Sequence, residues 1–379
     1  MGLFKKQESY IGVDIGAHGI KLVELKKNKG RPQLWTYGIL DRELDIHIPQ
    51  DPSAGGGANP TRVPLPMDQQ SRGLAPTSAR DFILNESRVG EYADLLKILA
   101  KEARISGKQV TSSLPVSYVF HTILNLPYVE EKELPKIVEA EVVKMVSRPA
   151  EEMQIVYQKV PAKEGTKKDY TTLLVTAAPK TLVAFYTAIF ERAGLQLQEL
   201  ETEAFALARS LVGKDAAVSM LVDIGAERTN FFIVDSGLPM THRSLHLGGN
   251  TIDEILGAHL GIERSVVGQI KKDLSSVDTE LPYDRFMSFL DPLAKEIQDS
   301  LELYLQQTGN EGKTPEKIIL SGGAALFSPI ASYLAEVFPM KVFVGDPWAR
   351  VIYQSGLKPV VREIGSRMAV SIGLALRHF

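Results

Sequence analysis

Two aspartates, Asp14 and Asp223, stand in identical settings in the two halves of the chain. Each is the second residue of a Val-Asp-Ile-Gly-Ala pentapeptide, at 13–17 and again at 222–226. Each pentapeptide ends an apolar run and precedes a second β-prone run, which predicts a strand, a tight turn and a strand. Glycine in such a turn lets a ligand approach the backbone, and successive turn amides form a concave anion site. We therefore predict two hairpins that grip one polyphosphate between them.

Carboxylates at these two positions suit a magnesium ion. Two aspartates that face a polyphosphate from opposite sides can hold Mg²⁺ through water, because this ion keeps most of its hydration shell. The alternative is that Asp14 and Asp223 only cap their turns, which aspartate often does. Two copies in one sequence context favour the functional interpretation.

The hairpin tips differ although the pentapeptides match. The first tip is Ala17-His18-Gly19 and the second is Glu227-Arg228-Thr229. Lys21 follows the first tip and could bind a phosphate as a point charge, but a solvated strand lysine is an equal alternative. We expect Thr229 to donate its hydroxyl to phosphate and Asn230 to hold the turn.

Paired glycines mark two junctions between a strand and a helix, Gly248-Gly249 and Gly322-Gly323. Bare backbone at such a junction lets a ligand lie near a helix N-terminus. The second pair follows an all-apolar strand and precedes Ala324, so we expect it to form the floor under an adenine or an α-phosphate. A simple tight turn is the alternative.

Glu203 begins a predicted helix in the first half of the chain. A carboxylate there could position the water that attacks a phosphate, since phosphoryl transfer depends mainly on geometry and charge. A glutamate at a helix N-terminus is also a common stabilising feature. Catalysis by Glu203 is the less favoured interpretation, because a general base requires demonstrated reach.

Composition excludes several classes of function. The chain has 379 residues, which fits two domains, and its net charge of −3 provides no basic field for nucleic acid. It has no cysteine, which excludes disulfides and thiolate metal sites, and its seven histidines lack the paired spacing of zinc ligands. No apolar run approaches the roughly 20 residues that span a bilayer and no signal peptide precedes the first strand, so we expect a cytosolic protein.

The elements that position these residues follow one order in both halves. Three strands open each half, which disfavours the alternating strand and helix order of a dinucleotide-binding fold. Helical periodicity is clearest at 90–104, where Tyr92, Leu95 and Leu99 share one face. The predicted strands lie at 10–15, 19–26, 33–40, 108–114, 117–126, 153–160, 170–178, 195–201, 217–223, 229–235, 238–246, 317–320 and 341–344. Further helices are predicted at 130–146, 180–193, 203–213, 250–260, 263–273, 284–308, from Ala324 to about 337, and at 363–377.

This repeated order predicts a duplicated α/β fold. The first lobe spans 9–215 and the second spans 216–379, with a helical subdomain at about 250–312. Within the first lobe, 126–178 is predicted to be a small β-helix-β-β subdomain. The stretch 48–79 is rich in Pro, Gly, Ser and Asn, and is expected to be a mobile insertion.

The motifs at 13–21, 222–230 and 320–324 resemble the two phosphate motifs and the adenosine motif of the actin, sugar kinase and Hsp70 superfamily. Within it the chain is most similar to the PilM family of type IV pilus assembly. The specific parts of this resemblance lie at 1–6, 14–21, 223–229, 247–250, 346–348 and 369–377. The inserted module resembles the extra subdomain that PilM shares with the division protein FtsA. The resemblance implies an actin-like ATPase fold with ribonuclease H-like lobes.

The resemblance also implies a function. PilM-type proteins bind ATP between the lobes and dock the cytoplasmic tail of the membrane protein PilN in a first-lobe cleft beside the inserted module. We thus expect a cytoplasmic adaptor, peripheral at the inner membrane face, that joins the pilus assembly platform and its motor components through its partner. Its ATPase activity would be weak at most. The family's ribose motif is altered here, since Gly268 replaces a carboxylate and Lys271 remains.

The expected ligands are therefore ATP and Mg²⁺. Two alternatives remain open, an FtsA-like filament-forming division protein and a small-molecule kinase of the same superfamily. The expected cofactor-binding residues are Asp14, Gly16, Ala17, His18, Gly19, Lys21, Asp223, Gly225, Ala226, Glu227, Thr229, Asn230, Gly248, Gly249, Lys271, Gly322, Gly323 and Ala324. Asp14 and Asp223 are the expected magnesium residues, and Glu203 is the candidate catalytic residue.

Overall fold

The computed structural model describes residues 8–44, 86–127, 129–146, 148–160, 170–263, 266–271, 283–307, 310 and 312–379. The insertion expected at 48–79 lies outside the described residues, as do 264–265 and 272–273 of one expected helix. Within the described residues, no helix combines the length and apolar character that crossing a bilayer requires.

The first five-stranded sheet has the order β3-β2-β1-β4-β8. Strands β1 to β3 form an antiparallel meander, and β4 and β8 extend it in parallel. Its strands are β1 (Ser9–Gly16), β2 (Gly19–Asn28), β3 (Arg31–Leu40), β4 (Gln109–Leu114) and β8 (Gln196–Thr202).

Helices cover both faces of this sheet, which explains why β1 and β2 are apolar almost throughout. Ile20 and Leu22 pack in one cluster with α1 (Glu86–Glu102) and α3 (Lys180–Ala193). Val23 and Leu25 face the opposite side and pack with α8 (Lys358–Ala375). The helices predicted at 90–104 and 180–193 are thereby confirmed, and the former begins earlier than expected.

The second five-stranded sheet repeats the first. Its order is β11-β10-β9-β12-β13, again with an antiparallel meander extended by two parallel strands. Its strands are β9 (Ser219–Ile224), β10 (Thr229–Asp235), β11 (Leu238–Leu245), β12 (Lys317–Ser321) and β13 (Lys341–Val344). Its helices are α5 (Gly249–Leu260), α6 (Met287–Leu305) and α7 (Ser328–Val337).

A third, three-stranded sheet lies between β4 and β8 in the sequence. Its order is β5-β7-β6, and α2 packs on it through Leu134, Val138 and Val142. The expected β-helix-β-β order of this module is confirmed. Its elements are β5 (Phe120–Pro127), α2 (Leu134–Met145), β6 (Met153–Lys159) and β7 (Tyr170–Pro179).

Two predicted helices differ from the structure. The helix expected at 203–213 is a short α4 (Glu203–Leu207) followed by a π-helical turn (Ala208–Val212). The helix expected directly after Ala324 begins only at Ser328, behind a stretch of turns. The lobe boundaries themselves stay a prediction.

Helix α8 is held against its neighbours by close backbone contacts. A Cβ on Gly12 of β1 would lie 2.0 Å from the carbonyl oxygen of Ser371, and one on Gly373 would lie 1.9 Å from that of Ala206. Only glycine permits such an approach. The same helix packs against both five-stranded sheets, with Val370 and Leu374 in one cluster with Leu221 and Ile319.

Candidate functional site

The two hairpin turns meet in one cavity of about 500 Å³. This cavity, called the cleft below, lies where the parallel strands of both sheets end. Its size falls in the range of small-molecule sites. Most residues expected at the site line it, namely Asp14, Gly16, Ala17, His18, Lys21, Glu203, Asp223, Gly225, Ala226, Glu227, Asn230, Gly249, Lys271, Gly322, Gly323 and Ala324.

Asp14 has a cation beside it. The β1–β2 register places Asp14 opposite Lys21, and the lysine Nζ lies 3.5 Å from Asp14 Oδ2. The hydroxyl of Ser113 on β4 donates to Asp14 Oδ1 at 3.1 Å. The carboxylate is almost fully buried, so these two partners replace the water that it loses on folding.

No cation lies opposite Asp223 on the neighbouring strand. The β9–β10 register places it opposite Asn230, at the position that Lys21 occupies in the first hairpin. Burial in the cleft, together with the charge of Asp14, raises the pKa of Asp223 to about 6, although a hydrogen bond from Ser321 acts in the opposite direction. Asp223 is therefore partly protonated near neutral pH.

Glu203 completes a group of three carboxylates. The backbone N–H of Val116 donates to Glu203 Oε2 at 3.5 Å. Burial, and then the charges of Asp14 and Asp223, raise the pKa of Glu203 well above its ordinary value. A raised pKa favours the protonated carboxyl, which does not act as a general base, so a nearby cation that favours the charged form would support catalysis by Glu203. Its catalytic role stays a prediction.

The surplus negative charge fits a magnesium ion bound mainly through water and phosphate. Within the described residues, no group of three or more His, Asp or Glu side chains is arranged to hold a metal ion directly. The charge of Asp14 adds to the cost of ionising Asp223, and a divalent cation beside Asp223 would reduce that cost. Mg²⁺ accepts such an arrangement because it retains several waters.

Three expected residues, Gly19, Thr229 and Gly248, do not line the cleft. Thr229 is fully buried and its hydroxyl donates to the carbonyl oxygen of Leu247 at 2.8 Å. The expectation that it donates to phosphate is wrong, because β10 begins at this residue and turns its side chain into the protein. Gly19 has a φ of +110°, and a Cβ there would lie 1.8 Å from the carbonyl oxygen of Leu40.

Gly248 permits a contact between the second turn and helix α5. A Cβ at Gly248 would lie 2.5 Å from the carbonyl oxygen of Ala226. The amides of Gly249 and Asn250 donate to the carbonyl oxygens of Gly225 and Ala226, each at 2.8 Å. The amides of Gly249 and Asn250 therefore hold the turn, while Gly249 still lines the cleft and its role in binding a ligand stays a prediction.

The glycines at 322–323 form a turn on the second hairpin. Gly322 has a φ of +91°, and a Cβ there would lie 2.3 Å from the carbonyl oxygen of Ile224. The amide of Ala324 donates to that same oxygen at 3.2 Å. This packing leaves Gly322, Gly323 and Ala324 as one wall of the cleft. Helix α7 begins four residues later, so its N-terminus does not lie at this wall.

Lys271 lies in the cleft but is tied to helix α5. Its Nζ lies 2.6 Å from Asp253 Oδ1 and donates to the carbonyl oxygen of Gly249 at 3.1 Å. Gly268, one helical turn earlier, also lines the cleft, and a Cβ on it would meet no atom within 4 Å. This part of the cleft therefore has space that a larger side chain would fill.

A family model described as "Type IV pilus assembly protein PilM" matches residues 80–379. The chain belongs to the PilM family. The match covers everything after the segment expected to be an insertion, including the inserted module and the second hairpin.

Solved structures support the fold of this PilM-family chain. A structure of the PilM–PilN type IV pilus biogenesis complex is similar with 23% identity and a TM-score of 0.74, over 97% of this chain and 98% of that one. The ethanolamine utilization protein EutJ from Carboxydothermus hydrogenoformans is similar with 15% identity and a TM-score of 0.51, over 97% and 89%. The expected actin-like fold is confirmed.

Several residues of the cleft were not expected from the PilM-family motifs. Arg228 belongs to a tip already recognised, so its position was readable from the sequence. Asp41, Arg42 and Glu43 follow β3, and Asp253 and Arg367 come from two helices, so only the tertiary structure places them there. His18 lies 3.9 Å from Glu43, and burial lowers the pKa of His18.

A second cavity, of about 470 Å³, lies between β6 of the inserted module and β8 of the first sheet. Both are edge strands of their sheets. Apolar side chains provide much of this groove, including Leu114, Val156 and Phe205, and Glu201 and Arg377 lie at its polar side. Glu201 accepts from Arg209 at 2.6 and 2.8 Å and from Arg377 at 2.5 Å.

The groove and the cleft share two walls. Leu114 and Thr202, at the ends of β4 and β8, line the groove. The residues that follow them, Pro115 and Glu203, line the cleft. The sequence gives no sign of this arrangement, because β4 and β8 are far apart along the chain.

Proposed function

We propose that this PilM-family chain is an ATP-binding adaptor of the type IV pilus assembly platform that docks the cytoplasmic tail of a PilN-type protein. The observation that carries the nucleotide part is the cleft, in which two phosphate-type hairpins bring Asp14, Asp223, Glu203 and Lys21 together. A site with this surplus of negative charge suits a magnesium-bound polyphosphate better than a free anion.

Different residues of the cleft would bind the phosphates, the magnesium ion, the ribose and the adenine. The turns at 16–18 and 225–228 would bind the phosphates through backbone amides, with Lys21 as a point charge. Asp14 and Asp223 would hold Mg²⁺ through water, and the ion would neutralise phosphate charge. The wall at 322–324 would support the adenine, and Lys271 would lie near the ribose.

We further propose that the nucleotide serves mainly as a structural ligand. Burial and the charges of Asp14 and Asp223 raise the pKa of Glu203, and the first tip offers Ala17 and His18 with no hydroxyl donor. Both features oppose rapid hydrolysis, since phosphoryl transfer needs positioned charge and a positioned water. Any ATPase activity would be weak.

The groove between β6 and β8 supports the partner part of the proposal. It joins two strand edges with an apolar floor, which suits an extended peptide that places alternate side chains in pockets. Val156 is 54% exposed in this groove, so a bound peptide could cover its apolar surface. The solved PilM–PilN complex shows that a similar protein assembles with PilN. We propose that this contact holds the chain at the cytoplasmic face of the inner membrane, beside the platform and its motor components.

Calorimetry with the full chain tests the partner part of the proposal. A peptide of the partner's cytoplasmic tail should bind, and Val156→Glu should abolish that binding because it places a charge in an apolar groove. Val143→Glu is the matched control, since Val143 is 43% exposed on α2 of the same module and lies outside the groove. Equal loss in both variants, or no binding to the unchanged chain, contradicts the docking proposal.

A thermal-shift measurement tests the nucleotide part separately. Mg-ATP at 100 times its dissociation constant should stabilise the folded chain by about 2.7 kcal/mol. No shift at millimolar Mg-ATP would remove the nucleotide from the proposal and leave the adaptor role intact.

A further inference from the structure

The end of the first five-stranded sheet that lies away from the cleft is basic. The start of β1, the β2–β3 turn and the segment 103–108 before β4 meet there, because β2 runs antiparallel and β4 parallel to β1. All but the first of its cations are exposed, although the whole chain has a net charge of −3. These cations, called the basic face below, are Lys26, Lys27, Lys29, Arg31, Arg104 and Lys108.

A buried carboxylate joins the two segments of the basic face. Glu24 is fully buried and accepts from the amide of Ser106 at 2.9 Å and from that of Gly107 at 3.2 Å. These bonds hold the segment 103–108 beside β2, and they remove the charge of Glu24 from the surface. Glu8 and Glu102, which flank these segments along the chain, are exposed and offset only part of the positive charge.

The β2–β3 turn presents its cations on a well-defined backbone. Lys29 and Gly30 have φ values of +49° and +79°, as in the two-residue turns that match the twist of a hairpin. The side-chain amide of Asn28 donates to that of Gln33 at 2.8 Å. The strands stay paired up to Arg31. Binding through this turn would therefore cost little backbone ordering.

An exposed tryptophan borders these cations on the edge strand β3. Leu34 lies opposite Leu25 and Thr36 lies opposite Glu24, so Trp35 occupies a bulge. A bulge changes the direction of a side chain. The ring of Trp35 is 55% exposed, although Lys26 Nζ lies 3.2 Å from its centroid. The basic face thus combines positive charge with one large aromatic side chain.

We propose that the basic face binds an anionic membrane surface directly, with Trp35 in the headgroup layer. Anionic headgroups attract lysine and arginine, and the apolar ring and polar N–H of tryptophan suit the boundary between headgroups and acyl chains. Nucleic acid is less favoured, since the cations occupy one turn and one loop of a chain with negative net charge.

This contact goes beyond the proposed function, in which the partner alone holds the chain at the membrane. The cleft lies at the opposite ends of the same strands, where Asp14 ends its run on β1 and Pro115 follows β4. Membrane binding through the basic face would therefore leave the cleft open.

Sedimentation of the full chain with phosphatidylcholine vesicles, with and without phosphatidylglycerol, tests the proposal. Binding should require phosphatidylglycerol and should weaken as salt is added, because salt screens exposed charges. The triple variant Lys27→Gln, Lys29→Gln, Arg31→Gln should bind roughly 100-fold more weakly, at about fivefold for each cation.

A second triple variant is the matched control. It removes the same charge from exposed positions around the second five-stranded sheet and should bind the vesicles as the unchanged chain does. Its substitutions are Arg285→Gln, Lys295→Gln and Lys341→Gln.

Fluorescence provides a further readout, because the chain has two tryptophans and the other, Trp348, is only 2% exposed. Binding should shift the emission of Trp35 to shorter wavelength as its ring leaves water. Trp35→Gln should lose this shift. An unchanged emission of the bound chain overturns the placement of Trp35 in the headgroup layer.

The other outcomes decide the proposal as a whole. No binding to phosphatidylglycerol vesicles, equal losses in both triple variants, or equally tight binding of duplex DNA at the same salt overturns it. Neither peptide nor nucleotide is present, so the docking and nucleotide proposals can fail while membrane binding stands, and the reverse.

Discussion

The two hairpin turns share a pentapeptide, yet they create opposite electrostatic settings. Asp14 faces Lys21 across its hairpin, whereas Asp223 faces Asn230 at the equivalent position. The first carboxylate is thus neutralised within its own hairpin, and the second has a pKa raised to about 6. Burial and then the charge of Asp14 raise the pKa of Asp223, and the asparagine opposite it provides no cation that would oppose them.

The two turns are also held by different parts of the chain. The carbonyl oxygen of Ala17 in the first accepts from the amide of Leu44, just after β3. The oxygens of Gly225 and Ala226 in the second accept from the first amides of α5. The second turn is therefore fixed by a helix and the first by an extended segment. The identical pentapeptide specifies the turn in both places. The surrounding residues determine the charge beside each aspartate and the segment that holds each turn.

The largest difference in stability between the two hairpins is expected for alanine substitution of Gly19 and of Arg228, which occupy equivalent positions. Gly19→Ala puts a Cβ into the carbonyl oxygen of Leu40 at a φ of +110°, so we expect a loss of about 3 kcal/mol or more in the free energy of unfolding. Arg228→Ala should cost little, because its backbone needs no left-handed conformation. Urea denaturation of both variants provides the measurement, and similar midpoints would contradict the assignment of strain to the first tip.

Removal of the second carboxylate should stabilise the protein without ligand. A pKa of about 6 for Asp223 against an ordinary 3.8 corresponds to roughly 3 kcal/mol of cost at neutral pH, and exposure to the cleft reduces this to about 2 kcal/mol. Asp223→Asn should therefore raise the unfolding free energy at pH 7.5, whereas Asp14→Asn should not, because it leaves Lys21 unpaired.

The pH dependence gives the sign of this effect. Since the folded-state pKa of Asp223 is raised, the folded protein binds more protons than the unfolded chain between about pH 4 and pH 6. The contribution of Asp223 to stability is thus lost as pH rises through about 6, and the raised pKa of Glu203 acts in the same direction. The stability gained by Asp223→Asn should grow from pH 5 to pH 7.5. A constant difference across that range would refute the raised pKa.

Exchange of the cross-strand partners should make each hairpin resemble the other. Asn230→Lys gives Asp223 a cation and should stabilise the protein by about 1 kcal/mol at neutral pH, while Lys21→Asn should destabilise it by a similar amount. The pKa of Asp223, followed by NMR titration, should fall in Asn230→Lys. If it does not, the cross-strand partner has no effect on that carboxyl and the comparison of the two registers loses its explanation.

The smallest effect is expected at Thr229. Thr229→Val removes the hydrogen bond to Leu247 and should cost about 1 kcal/mol of stability. Nucleotide affinity should not change, since Thr229 does not line the cleft. The equivalent residue of the first hairpin is already apolar, namely Ile20. A large loss of ATP affinity in Thr229→Val would restore the role that the sequence predicted.

Local patterns predicted most of the strands and helices. The twin pentapeptides indicated both hairpins, and helical periodicity indicated α1 and α3, because these signals depend on neighbours along the chain. The duplicated fold followed from the repeated order of elements. The helix predicted at 203–213 was too long, because only 203–207 form α4. The residues that follow, Ala208–Val212, form a π-helical turn that packs against α8.

Errors and omissions arose where side-chain direction or distant segments matter. The role of Thr229 failed because the strand bounds do not tell which way its side chain points, and the hydroxyl donates to the carbonyl oxygen of Leu247 inside the protein. The hydrogen bonds from the amides of Gly249 and Asn250 to the second turn were not predicted, because they join segments that are separate along the chain. Arg367 and Asp41 could not be predicted, since a distance of hundreds of residues separates the segments that bring them together.

The shared walls between groove and cleft have a thermodynamic consequence. Leu114 and Thr202 belong to one cavity, and the residues that follow each of them belong to the other. A peptide that displaced these strand ends would alter the second cavity, and the change in nucleotide affinity would define a coupling free energy. Reciprocity then requires nucleotide to change peptide affinity by the same factor. The two binding events would in that case report on each other through the displaced ends of β4 and β8.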